Sequence, residues 1–441
     1  MSFPLAMRVT LLILGGALLF GGPASAQQSD LEDLRAEIDA RVAEITDQVT
    51  AWRRDLHEHP ELGNREFRTA GVIAEHLSSL GIKVQTEVGY TGVVGLLRGG
   101  LPGPVVALRA DMDALPVTEL VDLPFASKAT TEYNGQEVGV MHACGHDHHM
   151  AVLMGVAEVL AGMRERLPGT VKFIFQPAEE GAPAGERGGA SLMIQEGVLE
   201  NPRPDVIFGL HVWTDRTGIV GYRAGGAMAS SQTLRIVVRG SQTHGAMPWG
   251  GVDPIVVSSQ IVMGLQTVVS RQSNITTAPA VVTIGSIHGG LRSNIIPDSV
   301  VLVGTVRTLD LEMQKRIEER IRRTVQGISE SAGATADVSL SRGLPITFND
   351  PELTRRMVPT LERVAGPGMA KEVSPRTGAE DFSYFQREIP GLYFFLGVIP
   401  DSVALEDVAP NHSPYFFADE AALPVGVRAL ANLAVDYLAG G

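Results

Sequence analysis

The segment Pro104–Ala110 reads Pro-Val-Val-Ala-Leu-Arg-Ala, and Thr170–Gln176 and Asp205–Leu210 repeat its apolar character farther along the chain. A strand with one wet face alternates apolar and polar residues. A strand apolar on both faces lies inside a parallel or mixed sheet covered by helices on two sides. The stretches between these segments read as helices, at His149–Leu167 and Gly189–Glu196. Two more helices precede them. Leu31–Glu58 places Leu31, Leu34, Ile38, Val42, Ile45 and Val49 at three- and four-residue spacing, and Phe67–Leu80 is closed by Gly81. Ile82–Gln85 and Gly92–Leu97 add strands. The alternation predicts an α/β fold, a mixed sheet flanked by helices.

The pattern changes near Met228. Ser231–Gly240 alternates as a half-exposed strand, Pro254–Ser270 is an apolar helix, and Ala280–His288 and Ser299–Thr308 are strands. A charged helix over Leu311–Ser329 and a strand over Ala336–Ser341 complete the order β-α-β-β-α-β, the ferredoxin-like arrangement. The expected organisation is therefore a main domain in two parts, 27–227 and 342–441, with a small α+β domain inserted at 228–341. A length of 441 residues supports more than one core.

An apolar run from Val9 to Phe20 follows Arg8, is broken by Gly21-Gly22-Pro23, and leads to Ala24-Ser25-Ala26. This is a signal-peptide pattern with cleavage expected after Ala26, so residues 1–26 are set apart and export to a periplasm or beyond is expected. The run is shorter than the about 20 residues of a membrane span. No stable membrane anchor is expected. The net charge of −14 argues against nucleic acid or anionic lipid as partners. The single cysteine excludes an intramolecular disulfide.

That cysteine sits in Met141-His142-Ala143-Cys144-Gly145-His146-Asp147-His148-His149. Cys144 alone reads equally as an inert buried thiol. With His146 two residues on, the pair has metal-ligand spacing. His148 and His149 read as residues that open the helix and orient neighbours, and His142 stays open between roles. The apolar strands deliver further polar groups at their carboxyl ends, where α/β sheets gather ligands. They are Asp111 and Asp113, Glu179 and Glu180, and His211. Consecutive side chains diverge in extended backbone, so one of Glu179 and Glu180 can bind metal while the other acts as a base. For Asp111 and Asp113 two readings stand: fixing a ligating imidazole, or bonding loop amides. His57 and His59, near the end of a helix, read as structural. His244 lies in a Gly/Pro-containing loop of the small domain, and His412, in Pro410-Asn411-His412-Ser413-Pro414, is placed to complete a metal shell.

Six segments together, Arg109-Ala-Asp-Met-Asp-Ala-Leu-Pro116, Met141-His-Ala-Cys-Gly-His-Asp147, Gln176-Pro-Ala-Glu-Glu180, His211-Val-Trp213, Gly378-Ala-Glu-Asp-Phe382 and Asn411-His-Ser413, resemble the M20 metallopeptidase family. The resemblance is nearest to its amidohydrolase branch of hippurate hydrolases, N-acyl-amino-acid amidohydrolases and auxin-conjugate hydrolases. It implies two divalent metal ions held by Cys144, His146, Glu180, His211 and His412, with Glu179 as general base. Manganese is the ion it implies first, with zinc, cobalt or nickel as alternatives. His244 matches a lid histidine that polarises the scissile carbonyl, within the chain or across a dimer interface. Asn294 and Arg307 match lid positions near a substrate carboxylate, and Asp111 and Asp113 fall behind the ligands. The inserted domain becomes a lid that also makes a homodimer. The chain departs from relatives outside this branch, which carry His in place of Asp111 and Asp in place of Cys144. The segment Ala182–Arg187 is also longer than in many relatives.

The expected reaction is hydrolysis of the amide bond of an N-acyl amino acid. A dipeptidase or carboxypeptidase would use the same groups with a different specificity. A non-catalytic binder of acyl amino acids would have no need of Glu179. A serine hydrolase is disfavoured because the chain has no Gly-x-Ser-x-Gly elbow.

Overall fold

The computed structural model describes residues 23–440. Residues 1–22 of the expected signal peptide lie outside the described residues. The main sheet has eight strands in the order Lys83–Val88, Gly92–Arg98, Pro168–Gln176, Leu101–Asp111, Val206–Arg216, Gly391–Ile399, Val220–Tyr222 and Ala370–Glu372. The four central strands run parallel to one another, and antiparallel neighbours on either side make the sheet mixed. Val106, Leu108, Phe173, Phe208 and Phe394 face the core under helices Pro23–Glu58, His146–Gly162 and Leu423–Leu438. Ala107, Ile174, Ile207 and Tyr393 face a second core on the other side. Burial on both faces is why the strands are apolar throughout. The segment Glu420–Leu438 is apolar and long enough to cross a membrane, but it is mostly buried, as a core helix.

The inserted domain is an antiparallel four-stranded sheet ordered Ala280–His288, Ser299–Thr308, Gln232–Arg239, Thr335–Leu340. Helices Pro254–Ser270 and Leu311–Ser331 close a core of its own. Asp253 and Asp310 cap these helices by accepting backbone N–H bonds in the first turn. In Leu311–Ser331 the buried residues Met313, Ile317, Ile321 and Val325 form one stripe on an otherwise charged helix. Ile321→Ala should cost about 2–5 kcal/mol. A lower urea midpoint for this domain is the expected reading, and an unchanged midpoint would mean that the stripe does not hold the helix down.

Two chain segments join the domains. Gly225–Met228 pairs with Thr347–Asn349, and Ser231 and Leu344 exchange backbone bonds of 3.0 and 2.9 Å. Gly343 has φ +57°, and a Cβ there would lie 1.5 Å from the Ser231 carbonyl oxygen, so this neck requires glycine.

Two local readings change, and the structure adds one element the sequence reading did not include. The helix expected at His149 starts at His146, because Gly145, at φ +91°, turns the chain and its carbonyl receives the first helical N–H bonds. The strand expected to end at Leu210 continues to Arg216, held by Gly391–Ile399, so His211 lies inside it. A hairpin, Thr130–Tyr133 with Gln136–Gly139, turns on Asn134-Gly135, both left-handed. That turn signal is legible in the sequence, and its polar strands hide it.

Candidate metal centre

Asp113, just past the strand ending at Asp111, organises the site. Its carbonyl accepts a 2.8 Å bond from His146 Nδ1, and its Oδ2 accepts the Glu180 backbone N–H at 2.9 Å. With Nδ1 committed to that bond, His146 Nε2 is the nitrogen left for a metal ion, and it is buried without a hydrogen-bond partner among the described residues. His211 is fixed likewise. Its Nδ1 donates to the Val212 carbonyl at 2.6 Å, leaving Nε2 3.4 Å from Cys144 Sγ. His412 adopts φ +72°, unusual for a non-glycine residue. Its backbone N–H donates to Ala143 O, and Asn411 Nδ2 donates to Cys144 O. These bonds bring His412 Nε2 to 3.0 Å from Glu180 Oε1.

Donor atoms of Cys144, His146 and His211 lie within 4.8 Å of one another, and so do those of Cys144, Glu180 and His412. Cys144 belongs to both sets. The donors fit a divalent cation: imidazole nitrogens free of competing bonds, a thiol and a carboxylate. Asp111, His146 and His149 are also close together. His149, however, has both nitrogens engaged, Nδ1 donating to Asp111 Oδ1 at 2.5 Å and Nε2 accepting the Val212 N–H at 2.8 Å. It orients neighbours, and Asp111 acts through it.

Charge favours a cation as well. Burial pushes the Cys144 thiol well above its ordinary pKa, and the Glu180, Glu179 and Asp111 carboxylates add to this. Burial lowers His146, but Asp111 and Asp113 outweigh it and raise the ring to about 10. Both groups therefore hold protons that a divalent ion would displace.

Glu179 and Glu180 follow a left-handed Ala178, at φ +51°. Buried Glu66 holds that turn, accepting the Ala178 N–H at 2.9 Å and the Thr91 hydroxyl at 2.5 Å. Glu180 points to His412, while Glu179 lies against Glu380 and Asp381 and accepts the Asp381 N–H at 3.3 Å. Burial pushes the Glu179 pKa well up, reinforced by Glu380, Glu180 and Asp381. A carboxylate beside the ligands with a raised pKa suits proton transfer.

Behind them lies Arg109, fully buried. It donates to Asp111 Oδ2 at 2.5 Å, Gln176 Oε1 at 2.9 Å, and Glu380 Oε1 and Asp381 Oδ1 at 3.0 Å each. The sequence reading gave no role to Arg109, Glu380 or Asp381. The available signal was an arginine inside an apolar strand, where an unpaired cation is untenable.

A cavity of about 450 Å³ opens onto Cys144, Glu179, Glu180, His211 and His412, and Arg307 lines it from the inserted domain. The strand carrying Arg307 ends at the neck, where the Ser230 N–H donates to Thr308 O. The Arg307 guanidinium makes no ion pair or hydrogen bond among the described residues, and burial lowers its pKa. His244 and Asn294 are not brought here. They lie on an exposed ribbon, Thr243–His244 paired with Ile295–Ile296, outside the lining of this cavity. His57 is buried between Asp147 and Glu119, whereas His59 lies exposed against the Asp55 carbonyl. His142 is buried, with neither ring nitrogen hydrogen-bonded among the described residues.

Residues 107–436 match the profile of peptidase family M20/M25/M40. The chain is 40% identical to thermostable carboxypeptidase 2 of Saccharolobus solfataricus over 92% of its own length and 99% of that protein. It is 36% identical to N-acetyl-L-cysteine deacetylase of Bacillus subtilis, over 91% of each. Among solved structures it resembles the YXEP protein of Bacillus subtilis, described as a dinuclear metal-binding peptidase of the M20 family. The TM-score is 0.76 at 35% identity, covering 90% of this chain and 99% of that one.

Proposed function

The chain belongs to peptidase family M20/M25/M40, and from that premise we propose that it hydrolyses the amide bond of N-acyl amino acids. The observation that carries this reading is Arg307, a guanidinium unpaired among the described residues, in the same cavity as Glu179 and the candidate ligands. A free carboxylate on the substrate would meet it there, while the scissile amide lies toward Glu179.

Cys144, His146, Glu180, His211 and His412 would hold two divalent ions, manganese in our reading, which supply water of lowered pKa and polarise the scissile carbonyl. Glu179 takes a proton from the attacking water and returns it to the leaving nitrogen. Asp113 and the Val212 carbonyl hold His146 and His211 in the tautomers that leave Nε2 free.

For His244 and Asn294 we propose a second copy as the setting in which they meet substrate. The strand Ala280–His288 is an edge of its sheet, with Val281 and Ile287 exposed. Ile255, Val256 and Met263 are exposed on the neighbouring helix. Pairing of two such edges into a homodimer would cover both. Export rests on the Val9–Phe20 run and the Ala24-Ser25-Ala26 site.

The test is amino-acid release by manganese-loaded protein from N-acyl amino acids and from dipeptides, with and without EDTA. Chelator-sensitive release from acyl amino acids is expected. Preference for peptides would favour the carboxypeptidase reading that the Saccharolobus relative suggests. Arg307→Ala should raise KM about 10–100-fold with kcat little changed, the loss of a charge-assisted bond. An unchanged KM would take Arg307 out of carboxylate recognition.

A further inference from the structure

Residues 61–66, between the helices Pro23–Glu58 and Phe67–Ser79, bridge two strand ends that carry site residues. On one side the Glu61 carbonyl accepts the Ala114 N–H at 2.8 Å, and Leu62 forms a parallel bridge with Ala114, next to Asp113. On the other side the segment meets the turn that precedes Glu179 and Glu180. Gly63 packs so closely there that a Cβ would lie 2.8 Å from the Gly181 carbonyl oxygen and 3.1 Å from Ala178 Cα. Buried Asn64 donates through Nδ2 to Arg187 O at 2.9 Å and to Glu186 Oε2 at 3.0 Å. Glu66 closes the segment, fully buried, with Oε1 accepting the Ala178 N–H and Oε2 accepting the Thr91 hydroxyl. Two carboxylates therefore hold the turn, Glu66 on the Ala178 N–H and Asp113 on the Glu180 N–H.

We propose that Glu66 is a positioning residue for the reaction: through the Ala178 N–H it sets where Glu179 and Glu180 stand relative to the ligating histidines. The proposal rests on the reading of Glu179 as general base and Glu180 as metal ligand, and deepens it. A left-handed alanine has no polar side chain to stabilise it and persists only where its surroundings hold it. Glu66 supplies that hold. Among the described residues the Glu179 carboxylate accepts a single bond, from the Asp381 N–H at 3.3 Å, so its place depends on the backbone beneath it. The role needs the length of the Glu66 side chain and not its charge. Burial raises the carboxyl to about 7, and Asp113 adds to the shift. When protonated it can donate to the Thr91 oxygen and still accept the Ala178 N–H, so either state keeps both bonds.

The test measures manganese affinity by titration calorimetry, together with kcat and KM for an N-acyl amino acid. Glu66→Asp keeps the charge but is one methylene too short to reach both partners. It should lower kcat about 10–100-fold with KM little changed, and weaken manganese binding about tenfold. Glu66→Gln gives up the charge and keeps the length, with Oε1 for the Ala178 N–H and Nε2 for Thr91. It should recover most of the rate and of the manganese affinity. A loss with Glu66→Gln as large as with Glu66→Asp overturns the proposal, and so does parental behaviour of Glu66→Asp. A role in folding alone would lower the urea midpoint and leave kcat and manganese affinity of the folded protein unchanged, which overturns it as well. If Glu66→Asp does not fold, Thr91→Val removes one of the two bonds and should shift both readings the same way, by about fivefold; no shift overturns the proposal. Absence of turnover by the unaltered protein counts against the hydrolase reading instead, and manganese affinity then decides the role of Glu66 on its own.

Discussion

Glu179→Gln should lower kcat by about 10²–10⁴-fold, the usual range for a general base, with bound metal unchanged. The substitution keeps the shape of the side chain and removes its ability to accept a proton. Glu179 lies within 4.8 Å of His146 and Glu180 as well as of Glu380 and Asp381, but the five candidate ligands are left intact by the substitution, so ion binding is expected to survive. Kinetics paired with elemental analysis of the same preparation make the measurement. Activity within tenfold of the parent would move proton transfer to another group, with Asp381 the nearest alternative. Loss of metal together with activity would make Glu179 a ligand.

Arg109→Leu should cost about 3–5 kcal/mol, the penalty for removing one partner of a buried ion network. Asp111, Glu380 and Asp381 would keep their burial and lose their shared counter-ion. Arg109→Lys should recover only part, since a single ammonium cannot reproduce the forked geometry. The loss should also depend on pH. Asp381 already stands at about 7, raised by burial and Glu380 against the opposing pull of Arg109. Without Arg109 it rises further. A carboxyl whose folded pKa exceeds its unfolded value binds more protons when folded, so stability falls as pH rises between the two values. The variant should therefore lie closest to the parent at about pH 6 and farthest from it at about pH 8. Denaturant unfolding of both proteins at the two values measures this, and a pH-independent difference would mean that the carboxylates are not left uncompensated.

The apolar runs at 104–110, 170–176 and 205–210 made the central sheet legible, because burial on both faces is a property of each strand alone. The β-α-β-β-α-β order of the inserted domain was legible for a similar reason: its sheet pairs strands within one contiguous segment. The strands Val220–Tyr222 and Ala370–Glu372 were not, since three residues each carry no period and pairing across 150 residues decides them. At the site, Cys144, His146, Glu179, Glu180 and His412 stand out by residue type at turns and past strand ends, and His211 stands out as a histidine closing an apolar run. Arg109 and Glu66 do not, because their partners lie far away in sequence. The exposed placement of His244 and Asn294 depends on how the ribbon projects from the inserted domain, which no local pattern encodes.

The neck bears on how such a protein can change over evolutionary time. Ser231 and Leu344 are bonded to each other, so the inserted domain enters and leaves the host at one point. A guest attached this way adds little strain to the host and can diverge on its own terms. Cys144, His146, Glu179, Glu180, His211 and His412 all belong to the host, whereas Arg307 and His244 ride on the guest. The two sets of residues thus sit on separate hydrophobic cores. A lineage could remodel the guest around Arg307 while the host keeps its candidate metal ligands in place.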